Sequence, residues 1–216
     1  IQPTIAVLTY LGSAHQENFE SLEAKCREKI ILFHDAETIV YNGDDEIVSK
    51  VVGEYHDYKG EKLYWSQKDA EAPFFIKNIE KKNDLTIVTY IYKGEEDSYS
   101  LPFIDEASVT NSIISAVVSR KLGLSAEDVD KRMSLLEPVA MRLEVKEGQH
   151  GCTLINDSYN SDINSLDIAL DFMSRRPDHK GRRHTLILSD IFQSGETPAD
   201  LYKEVSDLCR KRGVVK

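Results

Sequence analysis

A lysine on what reads as the core-facing side of a helix is the first residue here that asks for a chemical explanation. From Val7 to Phe33 the chain runs VLTYLGSAHQENFESLEAKCREKIILF. At 100° per residue Leu22, Cys26, Ile30 and Phe33 fall at about 0°, 40°, 80° and 20°, one apolar stripe, and Lys29 falls at about −20°, inside it. A buried ammonium is costly unless it is neutral, paired or modified. In one reading Lys29 snorkels, its stem lying along the core edge. In the other its pKa is depressed and it takes up carbon dioxide. The resulting carbamate offers two hard oxygens, the ligand type Mg²⁺ prefers. His15 lies in the loop after a strand, where α/β folds build ligand sites. Taken alone it reads as an ordinary polar loop residue, because imidazole is a second choice for Mg²⁺.

A second cluster is TLINDSYNSDINSL, Thr153 to Leu166, where a strand ends at Asn156 in a run of Asn, Asp and Ser. Such side chains build turns and helix caps by hydrogen-bonding nearby backbone, and Asn164 is expected to cap a helix from Ser165. Asp157 also leaves the carboxyl end of a strand, where a carboxylate can hold ribose hydroxyls. Spacing leaves both readings open. LSDIFQSGE repeats the arrangement, a strand ending in Asp190 with a glycine beyond it.

These residues need elements to position them. Thr4–Tyr10 reads as a buried strand, followed by a loop and a helix from Asn18 or Ser21 to Phe33. ETIVYN is a short strand and DEIVSKVVGEY a short helix. NDLTIVTYIYKGEEDSYSLPFI reads as a hairpin turning at KGEED. DEASVTNSIISAVVSRKLG is a helix closed by Gly123, and Ser125 caps the next, SAEDVDKRMSLL. Glu137-Pro138 interrupts helical periodicity. Beyond it come strands Arg142–Lys146 and Cys152–Asn156, helix NSLDIALDFMS, strand HTLILSD and helix TPADLYKEVSDLCRKRG. That β-α-β-α order predicts a parallel sheet and a domain boundary near Pro138, giving domains of 1–137 and 138–216. The second is short for a domain and is expected to be cut off.

Composition narrows the function. With 216 residues, 41% hydrophobic and 30% charged, the chain can bury a real core. A net charge of −10 argues against nucleic acid or an anionic membrane as the main partner. No run approaches the roughly 20 apolar residues of a membrane span. The opening IQPTIAVLTY lacks the pattern of a signal peptide. Cys26, Cys152 and Cys209 are odd in number and widely spaced, which suits a reducing, cytoplasmic setting.

Taken together the motifs resemble the Mur ligases. That family carries a Thr-Asn strand end, Ala-His-Leu-Glu, Phe-Gly-Ser, and a lysine fourteen residues after the histidine. Thr9, Ala14, His15, Glu17, Phe19, Ser21, Lys29 and Phe33 stand at the matching spacing. The signature Asp-Asp-Ser-Tyr-Asn-Ala-Asn-Pro is matched by NDSYNSDINS. The arginine-led strand before it is matched by MRLEV, and Gly-Asp-Met-Leu-Glu-Leu-Gly by SDIFQSG. The resemblance covers nearly the whole chain. It implies an α/β fold, the later part of a central ATPase domain followed by the start of a Rossmann-like C-terminal domain.

The resemblance also implies roles. Lys29, as a carbamate, and His15 would hold Mg²⁺ and serve catalysis. Asn111 would contact adenine, Asp157 the ribose and Arg142 the nucleotide, with Tyr159 and Asn160 shaping the site. The implied reaction is ATP-dependent amide formation, in which a UDP-muramoyl-peptide carboxylate is phosphorylated and the amine of D-alanyl-D-alanine attacks it. Tyr10 in place of the family asparagine, and DEAS in place of a histidine-containing stretch, are departures. No G-x-x-x-x-G-K-[ST] loop occurs in these residues. In the family that loop lies upstream, so the chain is expected to be an excised middle that does not turn over ATP alone. The drifted motifs are similar to ligases fused to an alanine racemase, which keeps open a scaffold attached to such a partner. A folylpolyglutamate synthetase relative is the other alternative.

Overall fold

The run Thr38–Asn42 is apolar on both faces, which is what a strand covered on both sides requires. It is β2 of a six-stranded sheet in the order β1 to β6, made by Ile5–Val7, Thr38–Asn42, Glu61–Ser66, Phe74–Lys82, Leu85–Tyr92 and Glu95–Leu101. β1 through β4 pair in parallel, and β4, β5 and β6 pair antiparallel. This computed structural model describes residues 2–12, 19–137, 142–159, 161–176, 181, 183–191 and 197–214. The chain divides into two compact units. One holds the described residues up to Leu11 together with 20–137, and the other holds Gly12, Phe19 and those described from 142 onward.

In the first unit, helices cover both faces of the sheet. α1 (Leu22–Ile31) and α2 (Glu46–Gly53) bury Cys26, Ile30, Val48, Val51 and Val52 against Ile39 and Tyr41. α3 (Glu106–Lys121) and α4 (Ala126–Met133) bury Val109, Ile113, Val117 and Val129 against Val40, Leu63 and Trp65 on the opposite face. Alternation along β2, with Val40 facing one way and Ile39 and Tyr41 the other, builds both layers from a single strand. Each fully buried aliphatic or aromatic side chain contributes roughly 1.5–3 kcal/mol.

Local signals set the helix ends. Ser21 caps α1 by accepting from Ala24 N at 3.1 Å, and Asp105 caps α3 by accepting from Ser108 N at 2.8 Å. α3 ends where Gly123 adopts φ +91, a left-handed position that glycine enters without steric cost. The hairpin turns on Lys93 and Gly94, both at positive φ. Glu95, Glu96 and Asp97, expected in the turn, pair instead with Tyr92, Ile91 and Tyr90. A two-residue turn of this kind matches the twist of its strands better than a longer one. Residues 58–82, to which the sequence reading assigns no element, supply β3 and β4. The distal half of β4 is lysine-rich and exposed, which hides its strand character from a hydrophobicity pattern.

The second unit corrects three further expectations. Its sheet consists of β7 (Glu144–Glu147) and β8 (Thr153–Asn156), paired antiparallel rather than parallel. Residues 184–190 form no strand ladder. α5 (Ile163–Arg175) is capped by Asp162, which accepts from Ser165 N at 2.9 Å, so Asn164 lies inside the helix. α6 (Pro198–Lys211) starts at a Thr197 cap with proline in the first turn. Leu166 and Leu170 pack with Ile191, Leu201, Val205 and Val214. Arg212 ties the end of α6 to α5, its guanidinium 2.8 Å from Asp167 and 2.5 Å from Asp171.

Candidate functional site

On α1 the structure reverses the expected burial. Lys25 is 5% exposed, whereas Lys29 is exposed to solvent. The helical wheel fixes an angle but not how neighbouring elements are placed over it. Ile30, the next residue, is buried in the core, so the cover reaches the last turn of α1 on the Ile30 side and leaves Lys29 in solvent. Burial, and after it the charge of Lys29, holds the Lys25 ammonium below the ordinary lysine range. The Lys29 side chain makes no ion pair or hydrogen bond among the described residues. His15, its expected partner, lies outside the described residues, as does Asn160.

Asn111 stands on the exposed side of α3, and its carbonyl accepts from Ser115 Oγ at 2.9 Å. Lys29 and Asn111 therefore sit in helix layers on opposite faces of one sheet. At the carboxyl ends of β2 and β3 lies a brace that the motif search passes over. Asp44 accepts from Ser66 Oγ and, at 2.7 Å, from Gln67 N, while Ser66 Oγ accepts from Lys68 N and Asp69 N. Asn-Gly-Asp-Asp after a buried strand is the signal that points to it.

In the second unit three of the expected residues come together. Register pairs Glu144 with Asn156, so the next opposed pair would be Leu143 and Asp157. Leu143 instead adopts φ +48, which takes it out of the strand. Its N–H, lost to the ladder, is accepted by Asp157 Oδ1 at 3.1 Å. A left-handed leucine costs about 1–2 kcal/mol, which the carboxylate helps to offset. The turn sets the Arg142 guanidinium over the ring of Tyr159, 4.3 Å from its centroid. Both side chains are exposed, and Asp157 is half-buried beside them. Ser158 Oγ donates to Asn156 Oδ1 at 2.8 Å, closing the strand end. A cleft of about 930 Å³ opens alongside, with Asp157, Ser158 and Ser165 on its polar side and Leu166, Leu170 and Leu186 on its apolar side.

This donor set fits a nucleotide, since an exposed guanidinium suits phosphate and a carboxylate suits hydroxyls. It does not by itself fit Mg²⁺. Among the described residues no three His, Cys, Asp or Glu side chains converge as a metal site. A bare Lys29 ammonium repels a cation, so a metal fits there only if that lysine carries a carbamate.

The fold is of the α/β class, and comparison with known proteins names its family. The chain belongs to the Mur ligase family: the Mur ligase middle domain matches residues 1–119. It is 23% identical over 214 residues to a UDP-N-acetylmuramoyl-tripeptide–D-alanyl-D-alanine ligase of Bacillus subtilis (strain 168), covering 94% of this chain and 42% of that protein. The same-named protein of Buchnera aphidicola is 24% identical over 222 residues, covering 100% of this chain and 47% of that one. The chain thus spans less than half the length of these relatives. Among solved structures it is similar to a MurF ligase from Thermotoga maritima in complex with ADP, with TM-score 0.74, 20% identity, 96% of this chain and 46% of that one. A folylpolyglutamate synthetase from Lactobacillus casei shares the fold at TM-score 0.62 and 14% identity, over 96% of this chain and 48% of that one.

Proposed function

We propose that the chain forms part of an ATP-dependent ligase of peptidoglycan precursor synthesis, which joins D-alanyl-D-alanine to UDP-N-acetylmuramoyl-tripeptide in the cytoplasm. The observation that carries this is the convergence of Arg142, Tyr159 and Asp157 on one exposed strand end, in a chain of this family. Arg142 binds the nucleotide phosphates, Asp157 the ribose and Asn111 the adenine. Residues 1–137 serve as the later part of the ATP-binding domain, and 138–216 as the start of the C-terminal domain. Asn160 completes the sequence signature with Tyr159 and helps shape the site.

Lys29 reacts as the free amine with carbon dioxide, forming an N-carboxylate and releasing one proton. That group and His15 would hold Mg²⁺, which when bound would neutralise charge between ATP and the peptide carboxylate. The ATP γ-phosphoryl group passes to the carboxylate, and the D-alanyl-D-alanine amine displaces phosphate to leave an amide. Lys29 is exposed, so this role rests on its place in the family motif and not on burial.

A second reading is a ligase-like module that supports a partner such as alanine racemase. Tyr10, 69% exposed just past β1 where the family has asparagine, favours it. The test is ADP release by the full-length protein with UDP-muramoyl-tripeptide, D-alanyl-D-alanine and Mg²⁺, comparing wild type with Lys29→Ala. Turnover that collapses in the variant and returns in part with added small carboxylates supports the ligase and the carbamate. Turnover indifferent to Lys29 removes the carbamate role, and an inactive wild type moves the assignment to the scaffold.

A further inference from the structure

We infer that Tyr159 is a positioning residue: its ring holds the Arg142 guanidinium in place as an anion-binding group, within a clamp built by the left-handed turn at Leu143. The inference rests on the nucleotide reading above and adds a division of labour within it. Three observations in one small region carry it. The β7–β8 ladder ends at Glu144–Asn156 although sequence remains on both sides to continue it. Leu143 departs to φ +48, a conformation leucine rarely adopts without cause, and Asp157 accepts its N–H. The residue just before the departure lies with its guanidinium 4.3 Å from the Tyr159 centroid.

The geometry has a simple logic. Had Leu143 stayed extended, the ladder would have placed Arg142 opposite Ser158, one residue short of the ring. The left-handed turn moves the guanidinium over Tyr159, where the π face holds the cation without occupying its N–H donors. All five donors in the planar fork stay available to an oxyanion, which a carboxylate partner in the same place would not allow. The arginine is thereby pre-ordered, so less side-chain entropy is lost when an anion binds. Asp157 Oδ1 fixes the turn that builds the clamp.

The test uses the full-length protein and two readouts. The first is the Arg142 side-chain N–H resonance, which a ring at this distance shifts upfield. Tyr159→Leu abolishes the shift, and Tyr159→Phe keeps it because the π face remains. The second is affinity for ADP and for adenosine by calorimetry, in a double-mutant cycle of Arg142→Ala and Tyr159→Leu. Tyr159→Leu is expected to weaken ADP about two- to fivefold, with adenosine unaffected and no further loss when Arg142 is already alanine. Tyr159→Phe stays near wild type in both. An Arg142 resonance indifferent to Tyr159→Leu overturns the clamp. Additive losses, or a loss of adenosine binding, overturn the positioning role and make the ring a direct ligand contact. A wild type with the ring-shifted resonance but no ADP binding overturns the nucleotide reading alone, and the Tyr159–Arg142 stack stands.

Discussion

Lys25 and Lys29 lie one turn apart on α1, yet the first is buried and the second exposed, and the charge of the second helps depress the first. Two ammonium groups on one helix face thus live in different environments. Amine-reactive labelling read by mass spectrometry should modify Lys29 well before Lys25, at any pH below the ordinary lysine range. Equal labelling rates would show that α1 is not covered as described.

Cys26 gives a pH-dependent signature. It is fully buried, and burial first, then the Asp45 charge, pushes its thiol up from 9.0 to about 11. The folded state therefore keeps its proton where the unfolded state has lost it. This contribution is fully present below pH 9.0 and is lost between 9.0 and about 11, on the order of 1 kcal/mol per pH unit. Lys25 acts in the opposite sense as pH rises toward its ordinary range, and Cys209 acts in the same sense as Cys26. Urea unfolding of wild type and Cys26→Ala from pH 8 to pH 10 isolates the Cys26 share. The variant's stability should fall less steeply, and parallel curves would refute the assignment.

The brace after β2 should be intolerant of small changes. A Cβ on Gly43 would meet the Tyr64 ring at 2.5 Å, and that ring's hydroxyl donates to Asp69 at 2.9 Å. Gly43→Ala is expected to cost about 1–3 kcal/mol through the displaced ring. Asp44→Ala should cost a similar ~1–3 kcal/mol, by leaving the Gln67 N–H and the Ser66 hydroxyl without their acceptor. Gly53→Ala is the control: nothing lies within 4 Å of its Cβ and it ends a helix, so it should be neutral or stabilising by up to ~1 kcal/mol. Chemical denaturation of the three variants decides the matter, and a neutral Gly43→Ala would sink the argument.

Leu143 separates conformational strain from side-chain packing. Asparagine enters the left-handed region readily and β-branched residues do not. Leu143→Asn should match or exceed wild-type stability, and Leu143→Val should fall below Leu143→Asn by about 1–2 kcal/mol. Equal thermal midpoints for the two variants would mean that the residue is not held at positive φ.

Much of the architecture was legible because its causes are local. The start of α1 near Ser21, the Ser125 cap, the Gly123 stop and the hairpin arm of β5 each act within one turn or one strand, so residue order alone specifies them, whereas Asp105, expected inside the helix, caps α3. The gathering of Arg142, Asp157 and Tyr159 was signalled only as a motif, without its geometry. Where the sequence reading went astray, the deciding partner was distant or the choice was between near equals. Whether Lys25 or Lys29 is buried depends on how neighbouring elements are placed over α1, which no helical wheel contains. Asp162 and Asn164 are both good caps, and only the packed start of α5 selects the first. β3 and β4 owe their strand state to neighbours on the sheet rather than to their own pattern. From the sequence alone came the helices, the hairpin arms and the list of chemically able side chains. Which of these side chains are buried, paired or strained was decided by tertiary structure, because desolvation and ladder hydrogen bonding depend on atoms far away along the chain.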